Sequence, residues 1–414
     1  QDQIPNGAGK GNLTVNGTLE LRGSGDEIVN GLWGSGSITK NNASGTRDLY
    51  VGDNYANSTF SGTISDSPSA GGYINLYKTG YSALTLTGTN STYAGKTTLI
   101  FGGIRASKIA DAGSPSSIGA PTGANAVISL GAYIFGGWLG YTGTGDKTDR
   151  PIDLSGTTGG GTLENIGTGP IVFTADFTAT GNGAKSLWLT GSNTGTNTIA
   201  GTIVNGASAT SLLKDGPGRW VLAGANTYTG TTLIANGVLA INGSLASGSE
   251  VTVTNMGVLA GTGAVNGTVA LVSGGKISPA DANAIGTLKT GSHTWNNDSG
   301  LTFEINDAAG QSGTGYDQLE VLGAGSINIQ AAADQPFTVN IVSLNGTTPG
   351  QVANFDNELN YAWTIATAGT GGITNFSASK FNINTNQLLN HVGRGYFEIK
   401  QNGNAIQLMY KAEA

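Results

Sequence analysis

One passage occurs twice in this chain, and a repeated strand–turn–strand unit constrains a fold more than any single residue does. Residues 61–106 hold Ser61-Gly62-Thr63-Ile64, Leu76-Tyr77-Lys78-Thr79-Gly80, Leu84-Thr85-Leu86-Thr87-Gly88 with Asn90 and Tyr93, and Thr97-Thr98-Leu99-Ile100. Residues 200–242 keep that order with Ala200-Gly201-Thr202-Ile203, Leu213-Lys214-Asp215-Gly216, Trp220-Val221-Leu222-Ala223-Gly224 with Asn226 and Tyr228, and Thr231-Thr232-Leu233-Ile234. A weaker echo runs through 189–203. Such a unit buries its apolar face only by stacking on its neighbours, so recurrence points to a quasi-one-dimensional fold. It points away from a compact enzyme built around one pocket.

The residue types agree. Glycine is 69 of 414 residues, yet it follows no triplet period and proline is only 10, which excludes a collagen helix. Charged residues are 11%, against about 25% in ordinary soluble proteins. With 38% hydrophobic residues the chain has ample material for a core and does not look disordered. Thr, Ser and Asn replace the charges and suit solvated strands and sharp turns. A net charge of −7 with scattered Lys and Arg gives no footprint for nucleic acid or an anionic membrane. No apolar run is long enough for a transmembrane helix, and the absence of cysteine speaks only weakly about compartment. The opening Gln1-Asp2-Gln3-Ile4-Pro5 reads equally as a processed terminus or an engineered start.

Short alternating runs recur between glycine, asparagine and serine, as in Leu13-Thr14-Val15, Val251-Thr252-Val253 and Gly257-Val258-Leu259. Period-two runs of three to six residues read as strands that turn often. The one stretch with helical character is 104–112. Asn-Gly pairs such as Asn236-Gly237 keep meandering hairpins open as a rival. The shorter strands and glycine spacing favour an all-β, right-handed parallel β-helix (a β-solenoid) with a terminal cap, in coils of roughly 20–25 residues stacked at about 4.8 Å. Leu, Ile, Val and Phe then face inward, while Thr, Ser and Asn form outward ladders. The solenoid is expected over 1–330, with 1–12 covering the first coil. Residues 331–414, where aromatic residues cluster, read as final irregular coils or a C-terminal β cap.

The two copies resemble the autotransporter-associated β-strand repeat, also called the passenger-associated transport repeat. The match rests on Leu222-Ala223-Gly224-Ala225-Asn226-Thr227-Tyr228-Thr229-Gly230 with Ile234 and Gly237-Val238-Leu239. The earlier copy matches with Ser91 inserted before Thr92-Tyr93. The surroundings of Ile277-Ser278-Pro279, Phe303-Glu304-Ile305 and Tyr316-Asp317-Gln318-Leu319 are similar as well. The resemblance implies a β-helical bacterial protein that is secreted or held at the cell surface. It does not imply one activity, since such passengers include adhesins, proteases and esterases. Those proteins finish in a membrane β-barrel, which these residues do not contain, so an excised passenger or a differently exported repeat protein is expected.

Catalytic material is sparse. There is no cysteine, the imidazoles are His293 and His391, and no G-x-S-x-G elbow occurs. A glycan-cleaving site would need grouped carboxylates. The densest set is Asp146, Asp149, Arg150 and Asp153, with Asp48, Asp53 and Asp66 beside Arg47 as a looser one; solvated loops are the competing reading. Gly313-Thr314-Gly315-Tyr316-Asp317 matches half of a calcium-binding nonapeptide, and one copy cannot make the paired turns. No cofactor or metal is expected. Tyr133, Phe135, Trp138 and Tyr141 lie close together and offer a glycan-contact platform, against core and corner packing. The expected role is a structural or adhesive surface solenoid, self-assembling into fibres or a sheath through its end coils and aromatic C-terminal segment. A glycan-binding adhesin module and a β-helical polysaccharide lyase or glycoside hydrolase are the alternatives. The expected partners are further copies of the chain or cell-surface glycans.

Overall fold

A computed structural model describes residues 4–40, 45–66 and 72–413, so the opening residues 1–3 and the 67–71 part of the first repeat lie outside the described residues. The chain packs as two compact units, Gln1–Leu212 and Leu213–Ala414. Both are built from short parallel strands in successive coils, a parallel β-helix.

In the first unit one sheet stacks Gly25–Val29, Arg47–Val51, Ile74–Lys78, Thr97–Leu99, Ile128–Leu130 and Ile152–Leu154. Another stacks Ser58–Phe60, Ala83–Leu86, Gly102–Ala106, Gly137–Tyr141, Gly161–Asn165 and Lys185–Gly191. The registers put one inward residue of each coil in a column. Leu84, Ile104, Leu139, Leu163 and Leu189 are consecutive partners, and all are buried. Each such aliphatic side chain contributes about 1.5–3 kcal/mol of burial. One position along, the outward column reads Gly103, Trp138, Thr162, Trp188. Polar ladders form outside the core as expected: Ser37 Oγ lies 3.3 Å from Thr63 Oγ1, and Asn75 donates to Asp48 at 2.8 Å.

Coil length varies more than expected. Val251 pairs with Val269, an offset of 18, whereas Gly102 pairs with Gly137, an offset of 35, and Ser326 with Gly372, an offset of 46. The long coil between Gly102 and Gly137 contains an irregular excursion over 107–127. The anticipated helical stretch 104–112 is not a helix: Gly102–Ala106 is a strand, because parallel pairing on both sides overrides a weak local preference.

In the second unit an inward column runs Leu239, Leu259, Ile277, Leu301, Val339 and Ile383. Asn236-Gly237 makes no hairpin. It sits inside the strand Thr232–Ile241 at a register shift, with Gly237 at φ +68°. Parallel coils persist beyond residue 331, since Phe337–Asn345 pairs with Phe381–Gln387. The pairing then turns antiparallel: Tyr361–Thr367 meets Ala405–Lys411, which meets Tyr396–Asn402. Glu398 and Lys400 put charges on that last strand, which discourages pairing with another chain.

The C-terminal aromatic side chains are largely spent on one another. Tyr361 and Trp363 stack at 5.3 Å, Phe355 meets Tyr410 at 5.0 Å, and Trp363, Phe337 and Tyr410 are buried. Expecting that segment to offer its rings as a contact surface is therefore corrected: only Tyr396 stands out as a large exposed ring there. At the other end, Asn30 ties down residues 7–11, accepting from Gly7 N and donating to the carbonyls of Gly7, Lys10 and Gly11.

Candidate functional site

The repeat motifs place their conserved-looking polar residues inside. Lys78 ends its strand with Nζ donating to the carbonyls of Thr79 and Gly80 and to Ser82 Oγ. Lys214 does the same with Asp215 O, Gly216 O and Asn236 O. Burial lowers both ammonium groups to about 8. Tyr93 and Tyr228 are also buried, with hydroxyls bonded to Thr97 and Thr232. These groups serve the fold.

The acidic clusters disperse when their bonds are followed. Asp146 accepts from Ile109 N at 3.0 Å and Asp149 from Ala112 N at 2.7 Å, tying the 107–127 excursion to the coil beneath. Arg150 is fully buried and donates to Ala126 O and Ile118 O at 2.8 Å each. Asp153 accepts from both Thr178 and Thr180. Asp146, Asp149 and Arg150 thus anchor the excursion, while Asp153 ties down residues 178–180. In the looser set, Arg47 is buried against Glu27, Asp48 holds Asn75, and Asp66 caps Ile74 N and Ala94 N.

Asp317, in the half-matched calcium pattern, is buried and caps Gly286 N at 2.9 Å and Glu304 N at 3.1 Å; burial raises its carboxyl well above the usual range. Among the described residues, no three His, Cys, Asp or Glu side chains are grouped to hold a metal ion. His293 is buried in the core column between Val269 and Ile327. His391 lies in a depression lined by Gln351, Phe355, Asp356, Asn357 and Asn390, where the Asp356 carboxylate accepts from Glu358 N at 2.9 Å.

The four aromatic side chains singled out in sequence do not form one platform. Tyr141 belongs to the core, 1% exposed, with its hydroxyl accepting from Gly145 N. The glycan-contact expectation is corrected there: alternation along Gly137–Tyr141 turns Leu139 and Tyr141 inward and Trp138 outward. Tyr133 is 75% exposed and sits at a turn with φ +53°. Phe135 joins a larger assembly. Four successive coils turn the same corner between the two sheets and leave Tyr55, Tyr81, Phe101 and Phe135 in a row. Tyr55 and Tyr81 are 6.0 Å apart, Tyr81 meets Phe101 edge to face, and Phe101 lies 4.5 Å from Phe135. Tyr55 and Tyr81 are exposed at 63% and 71%. Tyr55, Tyr81 and Phe101 escaped the sequence reading, although each follows a strand end in its own coil.

Trp138 stands on the neighbouring flat face. A Cβ on Gly103 would fall within its indole, and the Arg105 guanidinium lies 5.1 Å from its ring. Arg105 is paired with Glu164 at 3.0 Å.

Parallel coils with buried Lys and Tyr at matching positions define the class, a repeat-built β-solenoid. The passenger-associated-transport-repeat matches this chain twice, at residues 76–103 and 212–241, which begin at the strands holding Lys78 and Lys214. The chain is similar to the adhesin BmaC autotransporter of Brucella suis biovar 1 (strain 1330), 38% identical over 207 residues. It is similar also to an extracellular serine protease of Serratia marcescens, 38% identical over 135 residues. Those stretches are 49% and 32% of this chain, but only 6% and 12% of the two relatives. The chain thus carries the passenger repeat, and an extracellular or cell-surface location follows from it. Among the described residues no helix is long and apolar enough to cross a membrane.

Proposed function

We propose that this protein is an adhesive passenger-type solenoid that works by presenting a fixed aromatic corner rather than by catalysis. One observation carries the reading: the row Tyr55, Tyr81, Phe101 and Phe135, with the exposed Tyr133 in the same turn as Phe135. Exposed contiguous rings mark interaction surfaces in soluble proteins. Parallel stacking holds these rings at the spacing of the coils, so the surface is ordered before contact and loses little entropy on binding. The likeness of half the chain to an adhesin supports the same reading. Against catalysis stands the burial of His293 in the core.

Beads coated with the protein should adhere to bacterial and host-cell surfaces. The Tyr81→Ser/Tyr133→Ser double variant should lose most of that adhesion with unchanged thermal unfolding. Equal adhesion by the variant would overturn the reading, as would hydrolysis of protein or glycan by the purified chain.

A second reading, self-association into fibres or a sheath, draws on the same exposed rings and on the low charge of the surface. Light scattering over a concentration series separates the two: growth of large species abolished by the same variant assigns the corner to self-contact. In both readings residues 331–414 close one end of the solenoid.

A further inference from the structure

Trp138 and Trp188 are outward members of one column, separated by the single residue Thr162. Two coil steps of about 4.8 Å place their backbones about 9.6 Å apart. The intervening floor has almost no side chains: Gly136, Gly137, Gly160 and Gly161 line it, leaving a slot of about 290 Å³ open to solvent. A Cβ on Gly160 would strike the backbone of Ser186, so the floor is bare by necessity of close coil packing.

Both walls are held in orientation. The Trp188 Nε1–H donates to Ser186 Oγ at 2.8 Å, while the ring remains 49% exposed. The Trp138 ring fills the space above Gly103 and is attended by Arg105, which Glu164 holds in place. Ordered indoles of this kind bind without the cost of freezing two large side chains. Thr162 and Ser186 supply hydroxyls at the floor and rim.

We infer that this slot is a glycan subsite, seating one pyranose ring of a neutral, equatorially linked polysaccharide beside Thr162 and against the Trp138 and Trp188 indoles. The chemistry selects that class. Indole faces match the apolar C–H faces of a pyranose whose hydroxyls lie equatorially, and the floor hydroxyls and glycine carbonyls can bond those hydroxyls. The charge beside the slot is internally compensated, Arg105 by Glu164, which offers nothing to a sulfate or uronate. The net charge of −7 further opposes polyanionic glycans. An extended ribbon also suits a flat parallel sheet with a slot open to solvent. The inference rests on the adhesive reading for its biological role, and it concerns a face adjoining the aromatic corner, where Gly136 of the slot follows Phe135 of the row.

The test is titration of the full chain, by calorimetry and tryptophan fluorescence, with cellohexaose, chitohexaose and maltohexaose. A β-1,4-linked hexasaccharide is expected to bind with Kd in the range of about 0.1–1 mM. Trp188→Ala and Trp138→Ala should each weaken binding at least about tenfold, Trp188→Phe should restore most of it, and Tyr81→Ser should leave it unchanged. No binding up to about 10 mM of any β-linked hexasaccharide overturns the inference, as do α-linked binding alone and binding indifferent to both tryptophan variants. Circular dichroism controls for folding, which the exposed Trp188 should not disturb. Adhesion that survives Trp188→Ala but fails in Tyr81→Ser/Tyr133→Ser, with no sugar bound, sinks this subsite and leaves the adhesive reading standing. Sugar binding that depends on both tryptophans, together with adhesion left intact in the tyrosine variant, does the reverse.

Discussion

The hydroxyl of Tyr93 lies 2.8 Å from Thr97 Oγ1, and this bond satisfies a buried polar group whose column neighbours are aliphatic. Thr97 stands between Leu76 and Ile128, fully buried. Tyr228 and Thr232 repeat the arrangement at 2.7 Å in the second copy. The Tyr and Thr of the repeat are therefore one structural device spaced four residues apart.

Removing half of that device should cost more than removing all of it. Tyr93→Phe leaves the Thr97 hydroxyl buried without its partner and should destabilise the protein by about 1–3 kcal/mol. Tyr93→Phe combined with Thr97→Val should recover most of the loss. Urea unfolding of the two single variants and the double variant measures this, and additive losses would show that the bond is not the cause.

The buried lysines predict a stability that rises in mild alkali. Lys78 and Lys214 titrate at about 8 in the folded chain because burial disfavours the ammonium. An unfolded lysine titrates near 10.4. Between those values the unfolded state holds the proton that the folded state has lost, so stability increases with pH through this window. Unfolding midpoints should climb from pH 8 to pH 10, and the Lys78→Met/Lys214→Met variant should flatten the climb.

At the acid end His293 acts in the same sense, and stability falls as pH is lowered. Burial lowers its imidazole to about 3, its Nδ1 accepts from Trp295 Nε1 at 3.3 Å, and its Nε2 has no partner. An unfolded histidine takes a proton near pH 6.5, so stability falls by up to about 1.4 kcal/mol per pH unit from there towards pH 3. His293→Leu should remove that slope while costing about 1 kcal/mol at neutral pH for the orphaned Trp295 N–H. The two stability curves should cross below pH 6; parallel curves would assign the acid loss elsewhere.

Gly237 should tolerate no side chain. Its φ of +68° is left-handed, and a Cβ would meet the carbonyls of Gly218 and Gly216 and the Lys214 ammonium. Gly237→Ala is expected to cost at least about 2 kcal/mol by strain and displacement of Lys214. Gly17→Ala, at an open position, should cost less than about 1 kcal/mol in thermal unfolding.

The repeat, the alternation and the glycine punctuation made the solenoid legible before any coordinates. Inward and outward parity was legible too: Leu139 and Leu163 alternate with polar or bulky outward neighbours, as period two demands. Lys78 and Lys214 were visible as repeated residues, but their burial was not. A lysine goes inside only where corner groups converge on it: Thr79, Gly80 and Ser82 turn back onto Lys78, and Asp215 and Gly216 are joined by Asn236 of the following coil around Lys214.

The sequence by itself determined that parallel coils stack, which motifs recur and which residues within a strand share a face, because those follow from local periodicity. The tertiary structure alone decided which coil lies beside which residue. Offsets vary from 18 to 47 residues, so no fixed spacing predicts that Trp138 and Trp188 share a column, or that Tyr55 and Tyr81 meet at one corner. Excursions such as 107–127 lengthen a coil without changing the strands at either end. Parity therefore survives in the sequence, while register is set by the backbone ladders that close only when the coils have stacked.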